Sequence, residues 1–179
     1  METNQKQILI DLATRGDAIA IANILKKTWM QTYINEDLKI DKTTLSTYLK
    51  KVTANSIGRS IEEKDDHTHF LLARFNKTVA GVCKYVDEPG HVRLKMLYVL
   101  PKYQNIGVGS ALMRELLQRN RHRSEIVLNV AQYNRQAILF YRKFGFRNSK
   151  RKVQTSLERL PNGVIIPEIM MVRKKNTMV

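Results

Sequence analysis

The stretch that decides the fold is QNIGVGSALM, residues 104–113, which places Gly107 and Gly109 at the entrance of a helix. Glycine inside a helix costs about 1 kcal/mol relative to alanine, so the two glycines need a physical reason. An apolar strand ending near Leu100 precedes them, and a helix predicted over residues 111–121 follows. Amides at a helix N-terminus lack intrahelical partners and lie at the positive end of the helix dipole. The pattern therefore predicts a phosphate bound by the backbone.

The glycine spacing excludes two other phosphate-binding motifs. The dinucleotide fingerprint needs a third spaced glycine and a ribose-binding acid further along the chain. A Walker A loop needs a Lys followed by Ser or Thr, which this segment lacks. The alternative that stays open is a tight loop in which small residues serve packing alone.

The rest of the chain predicts a single mixed α/β domain over residues 1–179. Apolar alternation and helical periodicity give a strand, two helices, three strands, a helix, a strand, a helix and two strands. The acidic residues 62–66 are predicted to be a solvated loop. Six of the seven predicted strands cover residues 7–12, 70–75, 78–83, 92–100, 125–130 and 164–172, and predicted helices cover residues 17–30, 43–52, 111–121 and 134–144. After the last helix, a basic segment, residues 146–157, leads into the closing strand.

Charge and composition narrow the class of partner. Thirty-one Lys and Arg against sixteen Asp and Glu give a net charge of +15, which favours nucleic acid, phosphorylated cofactors or acidic membranes. The lone Cys83 excludes an intrachain disulfide and a CxxC metal pair, so we expect no metal. The opening METNQKQ lacks the apolar region of a signal peptide, and no stretch is long and apolar enough to span a membrane. We expect a cytoplasmic protein.

A second motif lies one strand beyond the glycines. Residues 133–146 read YNRQAILFYRKFGF, and together with the Q-x-x-G-x-G of residues 104–109 they resemble the two signature motifs of the GNAT superfamily of acyl-CoA-dependent N-acetyltransferases. The close resemblance covers residues 94–146. The matching positions of the second motif, in the arrangement N-x-x-A-x-x-F-Y-x-K-x-G-F, are Asn134, Ala137, Phe140, Tyr141, Lys143, Gly145 and Phe146.

The resemblance implies the GNAT fold and acetyl-CoA as the acetyl donor. That fold has a central mixed, mostly antiparallel sheet of about seven strands with helices on both faces. The sheet is splayed between the strands that here end near Leu100 and Val130. Such enzymes are often dimers, so a homodimer is compatible with the resemblance.

The resemblance also assigns cofactor-binding residues. Amides of the pyrophosphate loop would hold the CoA pyrophosphate, and the main chain of the splayed strand would pair with the pantetheine arm. Tyr141 would stand near the thioester sulfur as general acid, and Lys143 near the phosphates. Asn134 and Ala137 of the second motif complete the set. The loop residues are Gln104, Asn105, Ile106, Gly107, Val108, Gly109 and Ser110, and the strand residues are Leu97, Tyr98 and Val99.

The chemistry calls for a base. An amine with a pKa near 10.4 is almost wholly protonated at pH 7, so deprotonation costs roughly 4 to 5 kcal/mol. Many relatives place a Glu on the strand before the pyrophosphate loop, but residues 93–98 read RLKMLY and contain no acid. Candidate catalytic bases are Glu36 and Asp37 between the first two helices, and Glu168 on the closing strand. A water-mediated route is equally allowed.

The acceptor is predicted from the first helix. Trp29 and Tyr33 resemble the W-x-x-x-Y pattern of GNAT relatives that acetylate small molecules, including polyamines, although core packing explains Trp29 as well. The favoured reaction is direct attack by the primary amine of a small molecule in a ternary complex. A peptide N-terminus, for instance on a ribosomal protein, is the competing acceptor. A nucleic-acid-binding module, based on the basic residues 119–123 and 150–152, is disfavoured because those runs lack interleaved aromatic residues.

Overall fold

The sheet topology explains how the chain builds its site. The computed structural model describes residues 7–151 and 159–175. Seven strands form one sheet in the order β1-β2-β3-β4-β5-β7-β6, in which only the β4–β5 pair is parallel. The strands are β1 (Ile8–Leu12), β2 (Thr68–Phe75), β3 (Thr78–Glu88), β4 (His91–Val99), β5 (Glu125–Ala131), β6 (Arg147–Asn148) and β7 (Glu168–Lys174). The helices are α1 (Ala18–Thr32), α2 (Lys42–Tyr48), α3 (Ala54–Glu62), α4 (Val108–Arg119) and α5 (Arg135–Lys143).

Helices cover both faces of this sheet, which confirms the predicted architecture. On one face α1 and α3 pack against β2 and β3, with Ile21 and Leu72 fully buried between them. On the other face α4 and α5 pack against the sheet, with Leu112 and Phe146 fully buried. Each such side chain stabilises the fold by about 1.5 to 3 kcal/mol. We call these the α1 face and the α4 face.

The prediction of only two helices before β2 is wrong. The helix α3 follows a capping box, in which the Thr53 side chain accepts a hydrogen bond from the Ser56 amide at 3.0 Å. It was missed because Gly58 lowers helix propensity and the rest of the outer face is polar. Gly58 has a packing role, since a Cβ there would lie 3.3 Å from Cγ of Arg15, in the short 3-10 turn before α1. Glu62, assigned to an acidic loop, is the last residue of α3.

Other predicted boundaries shift by a few residues. The helix α4 begins at Val108 rather than residue 111, so Gly109 lies in its first turn. The closing strand β7 begins at Glu168 rather than residue 164. The predicted helix over residues 43–52 ends as α2 at Tyr48 and continues as a short 3-10 turn. Part of the basic segment 146–157 lies outside the described residues.

A β-bulge at Lys95 creates the opening of the sheet. Leu94 and Met96 pair with adjacent residues of β3, so Lys95 is the extra residue of β4. The bulge turns Tyr98 toward the α1 face, while Leu94 packs on the α4 face. Pairing between β4 and β5 stops at the same point, opposite Leu128. The two strands separate beyond it, which confirms the predicted splay.

Candidate active site

The opening between β4 and β5 contains a cavity of about 590 Å³. This volume lies within the range of about 300 to 1,000 Å³ that is typical of ligand pockets. The walls come from α1, β4, the loop before α4, β5 and α5. Of the predicted cofactor residues, those on the wall are Leu97, Tyr98, Val99, Gln104, Asn105, Gly107, Gly109, Ser110, Asn134, Ala137, Tyr141 and Lys143.

Two residues of the predicted loop are not on that wall. Val108 is fully buried in the core of the α4 face, and the Ile106 side chain is exposed. Their assignment to the cofactor rests on backbone amides. The Val108 side chain therefore serves the fold, while the main chain of this segment is free to bind.

The conformation of Gly107 leaves the amides of the loop before α4 exposed to the cavity. Gly107 is the N-cap of α4 and has a φ of 96°, in the left-handed region that favours glycine. The first intrahelical bond runs from the Ala111 amide to the Gly107 carbonyl at 2.9 Å. The amides before Ala111 have no intrahelical partner, as at every helix N-terminus. The Gln104 side chain anchors the loop by donating to the Val99 carbonyl at 3.0 Å.

The two glycines of the loop have different roles. A Cβ on Gly109 would lie 3.6 Å from the Phe140 ring and from Val99, which is ordinary van der Waals contact. Its backbone also has an ordinary helical conformation. Only Gly107 therefore needs glycine for conformational reasons, whereas the sequence interpretation gave both glycines the same cause.

The splayed part of β4 offers a free main-chain edge. Its pairing with β5 covers only Val92, Arg93 and Leu94. From Met96 to Val99 the strand keeps its partner β3 but has none in β5. An extended ligand arm with amide groups can pair with such an edge as an added strand.

Tyr141 reaches the cavity from the α4 face of the sheet. It lies on α5, is 8% exposed, and packs edge-on against Phe146 and Phe140 at centroid distances of 5.9 and 5.5 Å. Burial raises the pKa of its hydroxyl well above the ordinary value of a phenol, and proximity to Tyr98 adds to the rise. The hydroxyl therefore stays protonated at neutral pH and is available as a proton donor on the cavity wall.

The other residues of the second motif support α5. The Asn134 side chain is the N-cap of α5, because its Oδ1 accepts a hydrogen bond from the Ala137 amide at 3.1 Å. Lys143 lies in the last turn of the same helix. The motif thus combines a helix cap with cavity-lining positions on one short helix.

An aromatic group lies on the α1 side of the cavity. The Trp29 indole donates to the Tyr98 hydroxyl at 3.2 Å, and the Tyr33 and Tyr98 hydroxyls are 3.4 Å apart. Tyr33 and Tyr98 line the cavity, while Trp29 supports them from behind and stacks on Tyr48 at 5.0 Å. Burial raises the pKa of both Tyr33 and Tyr98. Trp29 is therefore a supporting residue here, and Tyr33 is the one on the wall.

The three candidate bases occupy different environments. Glu36 and Asp37 lie exposed in the turn after α1, and neither is on the cavity wall. Glu168 is half-buried at the start of β7. Burial raises the pKa of Glu168, and a side-chain hydrogen bond with Asn129 opposes part of that rise.

Asn129 is a wall residue that sequence reasoning missed. It lies in β5, on the cavity wall, and its Oδ1 is buried with no hydrogen-bond partner. The signal was present in the sequence, since Asn129 is the one uncharged polar residue within the otherwise apolar strand EIVLNVA. A polar side chain in a buried strand needs a partner or a ligand.

Neither a membrane span nor a metal cluster is found among the described residues. No helix in residues 7–151 and 159–175 combines the length and apolar character that crossing a bilayer requires. Within the same ranges, no group of three or more His, Cys, Asp or Glu side chains is arranged to hold a metal ion.

The sheet order, the splayed strands and the glycine N-cap agree with one protein family. The model of the acetyltransferase (GNAT) family matches residues 22–146, which is more than half of the chain. The chain belongs to the GNAT acetyltransferase family. Membership makes this protein an N-acetyltransferase that acts with acetyl-CoA, as the two sequence motifs predicted.

Solved GNAT structures share this fold at low sequence identity. The PaiA N-acetyltransferase of Thermoplasma acidophilum, in complex with coenzyme A, has a TM-score of 0.71 at 20% identity over 94% of this chain and 99% of its own. The ribosomal-protein-S18-alanine N-acetyltransferase of Escherichia coli has a TM-score of 0.64 at 16% identity, over 97% of both chains. Salmonella typhimurium YncA with acetyl-CoA has a TM-score of 0.63 at 20% identity, over 97% of this chain and 96% of its own. No curated protein sequence matches this GNAT chain significantly.

Proposed function

We propose that this GNAT protein transfers the acetyl group of acetyl-CoA to a primary amine of a small molecule, a polyamine or a similar compound, by direct attack in a ternary complex. The observation that carries the proposal is one continuous cavity. It runs from the N-terminus of α4, along the free edge of β4, to Tyr141 and the Tyr33–Tyr98 pair. Donor and acceptor can therefore meet without a covalent enzyme intermediate.

The donor half of the cavity fits the cofactor. Acetyl-CoA supplies the acetyl group as an activated thioester. The unpaired amides after Gly107 would bind the pyrophosphate, and the free edge of Leu97–Val99 would pair with the pantetheine amides. Lys143, on the same wall, would add a positive charge for the phosphates.

Tyr141 is the proposed general acid. Its hydroxyl is protonated at neutral pH because burial raises its pKa. A thiol near pKa 8.5 leaves as a thiolate more readily than a phenol gives up its proton, so Tyr141 acts chiefly by hydrogen bonding to the departing sulfur. This hydrogen bond stabilises the negative charge that develops on the sulfur and does not require full proton transfer.

The acceptor half favours an amine. Tyr33, Tyr98 and Asn129 present hydroxyl and amide groups on the wall. Such groups can hydrogen-bond an amine. A peptide N-terminus is the second candidate, supported by the similarity to the Escherichia coli S18-alanine N-acetyltransferase. The single domain over residues 1–179, the cytoplasmic location and the homodimer stay predictions.

A panel assay tests this function. Thiol release from acetyl-CoA is followed with spermidine, simple alkylamines, free amino acids and peptides with an N-terminal alanine, while calorimetry at low salt measures acetyl-CoA binding. We expect binding and turnover with polyamines or alkylamines above the free amino acids. Turnover confined to the peptides would transfer the assignment to the second candidate. Binding without turnover on any amine, or no binding at all, would contradict the proposal.

A further inference from the structure

Glu168 and Asn129 lie side by side on the α1 face of the sheet. In the β5–β7 ladder, Glu168 pairs with Ala131, and Asn129 pairs with Met170. Asn129 and Glu168 are therefore diagonal neighbours on one face, within reach of their side chains. Burial raises the pKa of the Glu168 carboxyl, and the Asn129 amide, a donor group beside it, offsets part of that rise.

The Lys95 bulge brings Tyr98 to the same face. Tyr98 packs with the α1-face cluster, and Tyr33 reaches its hydroxyl from α1 at 3.4 Å. Tyr98, Tyr33 and Asn129 all line the cavity, and Glu168 is the diagonal neighbour of Asn129 in the β5–β7 ladder. Side chains from α1, β4 and β5 thus meet on the wall next to this carboxylate. We call Tyr33, Tyr98, Asn129 and Glu168 the acceptor cluster.

Unsatisfied polar atoms lie in the cluster and on Tyr133, which follows β5. Asn129 Oδ1 and the Tyr133 hydroxyl are buried without a hydrogen-bond partner, and buried polar atoms of this kind mark sites for ordered water or ligand donors. Burial is the largest cause of the raised pKa of Tyr33, Tyr98 and Tyr133, and the Glu168 charge adds to the rise at each. These tyrosines are therefore the titratable groups that the carboxylate influences, and Asn129 is its diagonal neighbour in the ladder.

We propose that Glu168 is the terminal acceptor of the proton that the attacking amine must lose, reached through the Asn129 and tyrosine positions of the cavity wall. The inference rests on the proposed amine acetylation. Glu168 acts through its neighbours, so it is a positioning residue and proton store rather than a group in contact with the substrate.

The proton balance is simple. An ammonium gives one proton along the acceptor cluster to the Glu168 carboxylate, and the freed lone pair forms the new C–N bond as the C–S bond breaks. A second nitrogen proton passes to water, and the departing thiolate, hydrogen-bonded by the Tyr141 hydroxyl, takes up a proton from solvent. Glu168 returns its proton to solvent. The net products are the amide, the free thiol and one proton.

The test is Glu168→Gln assayed on amines of decreasing basicity. A weakly basic amine is already neutral in solution, so it does not need Glu168. We expect kcat/KM to fall about 10²- to 10⁴-fold with a strongly basic alkylamine, and by less than about threefold with a weakly basic one. A purely structural role would lower both rates equally, and that result would overturn the inference.

The pH profile gives an independent readout. Glu168 works as the carboxylate, and burial raises its pKa, so wild-type kcat/KM should fall on acidification from a higher pH than an ordinary Glu near 4.3 would give. Glu168→Asp should keep this limb at a reduced rate, and Glu168→Gln should lose it. An unchanged limb in Glu168→Gln would also overturn the inference.

A matched control is Glu125→Gln. Glu125 opens β5 at the opposite end of the β5–β7 ladder, where it binds Arg151 at 2.5 Å. We expect its amine-basicity dependence to equal that of the wild type. If the wild type acetylates no amine, the proposed function fails and the inference with it. If the wild type acetylates amines and Glu168→Gln keeps the same dependence on basicity, the inference alone fails.

Discussion

The donor wall of the cavity is mostly main chain from one continuous stretch, residues 97–110, whereas the acceptor wall is side chains from α1, β4 and β5. The donor wall depends on a left-handed glycine and a free strand edge. The acceptor wall depends on hydroxyls that hydrogen-bond one another across separate elements. The difference teaches that cofactor recognition is local in sequence and acceptor recognition is not, so single substitutions should affect one wall at a time.

Tyr141→Phe should give the largest effect, because Tyr141 lies where the two walls meet. Removing the hydroxyl deletes the proton donor but keeps the ring packed on Phe146. We expect kcat to fall about 10²- to 10⁴-fold. The acetyl-CoA Kd and the melting temperature should stay near the wild-type values. A loss of acetyl-CoA binding in calorimetry would mean that Tyr141 belongs to the donor wall instead.

Gly107→Ala should damage the donor wall alone. Alanine in the left-handed region costs about 1 to 2 kcal/mol, and relief of that strain would withdraw the amides from the pyrophosphate. We expect acetyl-CoA affinity to fall about tenfold by calorimetry, in line with that cost, while the amine KM at saturating acetyl-CoA is unchanged. Gly109→Ala is the matched control, because its Cβ has room; equal losses in both variants would refute the distinction between the glycines.

Trp29→Phe should damage the acceptor wall alone, and by less. The indole donates to Tyr98, and one such hydrogen bond contributes about 1 kcal/mol net. We expect the amine KM to rise about fivefold, the equivalent of that energy, without a change in the acetyl-CoA Kd. A change confined to the acetyl-CoA Kd would contradict the separation of the walls.

The smallest expected effect is a pH dependence of the stability that the Asp17 carboxylate contributes near the start of α1. Asp17 is buried before α1, where its carboxylate accepts from Arg74 at 2.8 Å and from the Thr14 amide at 3.0 Å. Burial raises its pKa, but these hydrogen bonds and the Arg74 charge outweigh burial and lower it overall. A lowered native pKa stabilises the fold above the unfolded value near 3.9, and this contribution is lost as pH falls through the native pKa.

Hydrogen exchange measures that contribution by region. Below about pH 4, amides of α1 should lose protection before those of α4, because Asp17 is the residue directly before α1. Asp17→Asn is the control. Its stability should be lower at neutral pH and should change less on acidification than that of the wild type. Equal loss in both helices would show that acid weakens the two walls together.

The donor wall could be predicted from sequence because its physics is local. A strand, a glycine N-cap and a helix lie within about a dozen residues, and the strand, loop and helix were found in that order. Only the φ of 96° shows that Gly107 must be glycine. The sequence does not contain this information, so Gly107 and Gly109 were given the same role. The helix α3 escaped prediction because its close approach to α1 through Gly58 is a tertiary contact.

The acceptor wall could not be predicted to the same degree. Tyr33, Asn129 and Glu168 are separated by many residues, and only the β5–β7 register makes the last two neighbours. Tyr98 was assigned by its main chain, and its side-chain role depends on the bulge, which shifts the alternation of β4 by one residue. Glu36 and Asp37 were chosen for lying near the first helix, yet their exposed turn keeps them off the wall.

The bulge at Lys95 makes the two halves of the enzyme separately tunable. A single extra residue ends the β4–β5 ladder and reverses which side of the strand each later side chain occupies. Deleting Lys95 would restore regular alternation in β4, so Leu97 and Tyr98 would each move to the other face of the sheet. The deletion would therefore disrupt the donor wall and the acceptor wall together. Redesign of amine selectivity should therefore keep the bulge at Lys95 and vary only the side chains that α1 and β7 place near it.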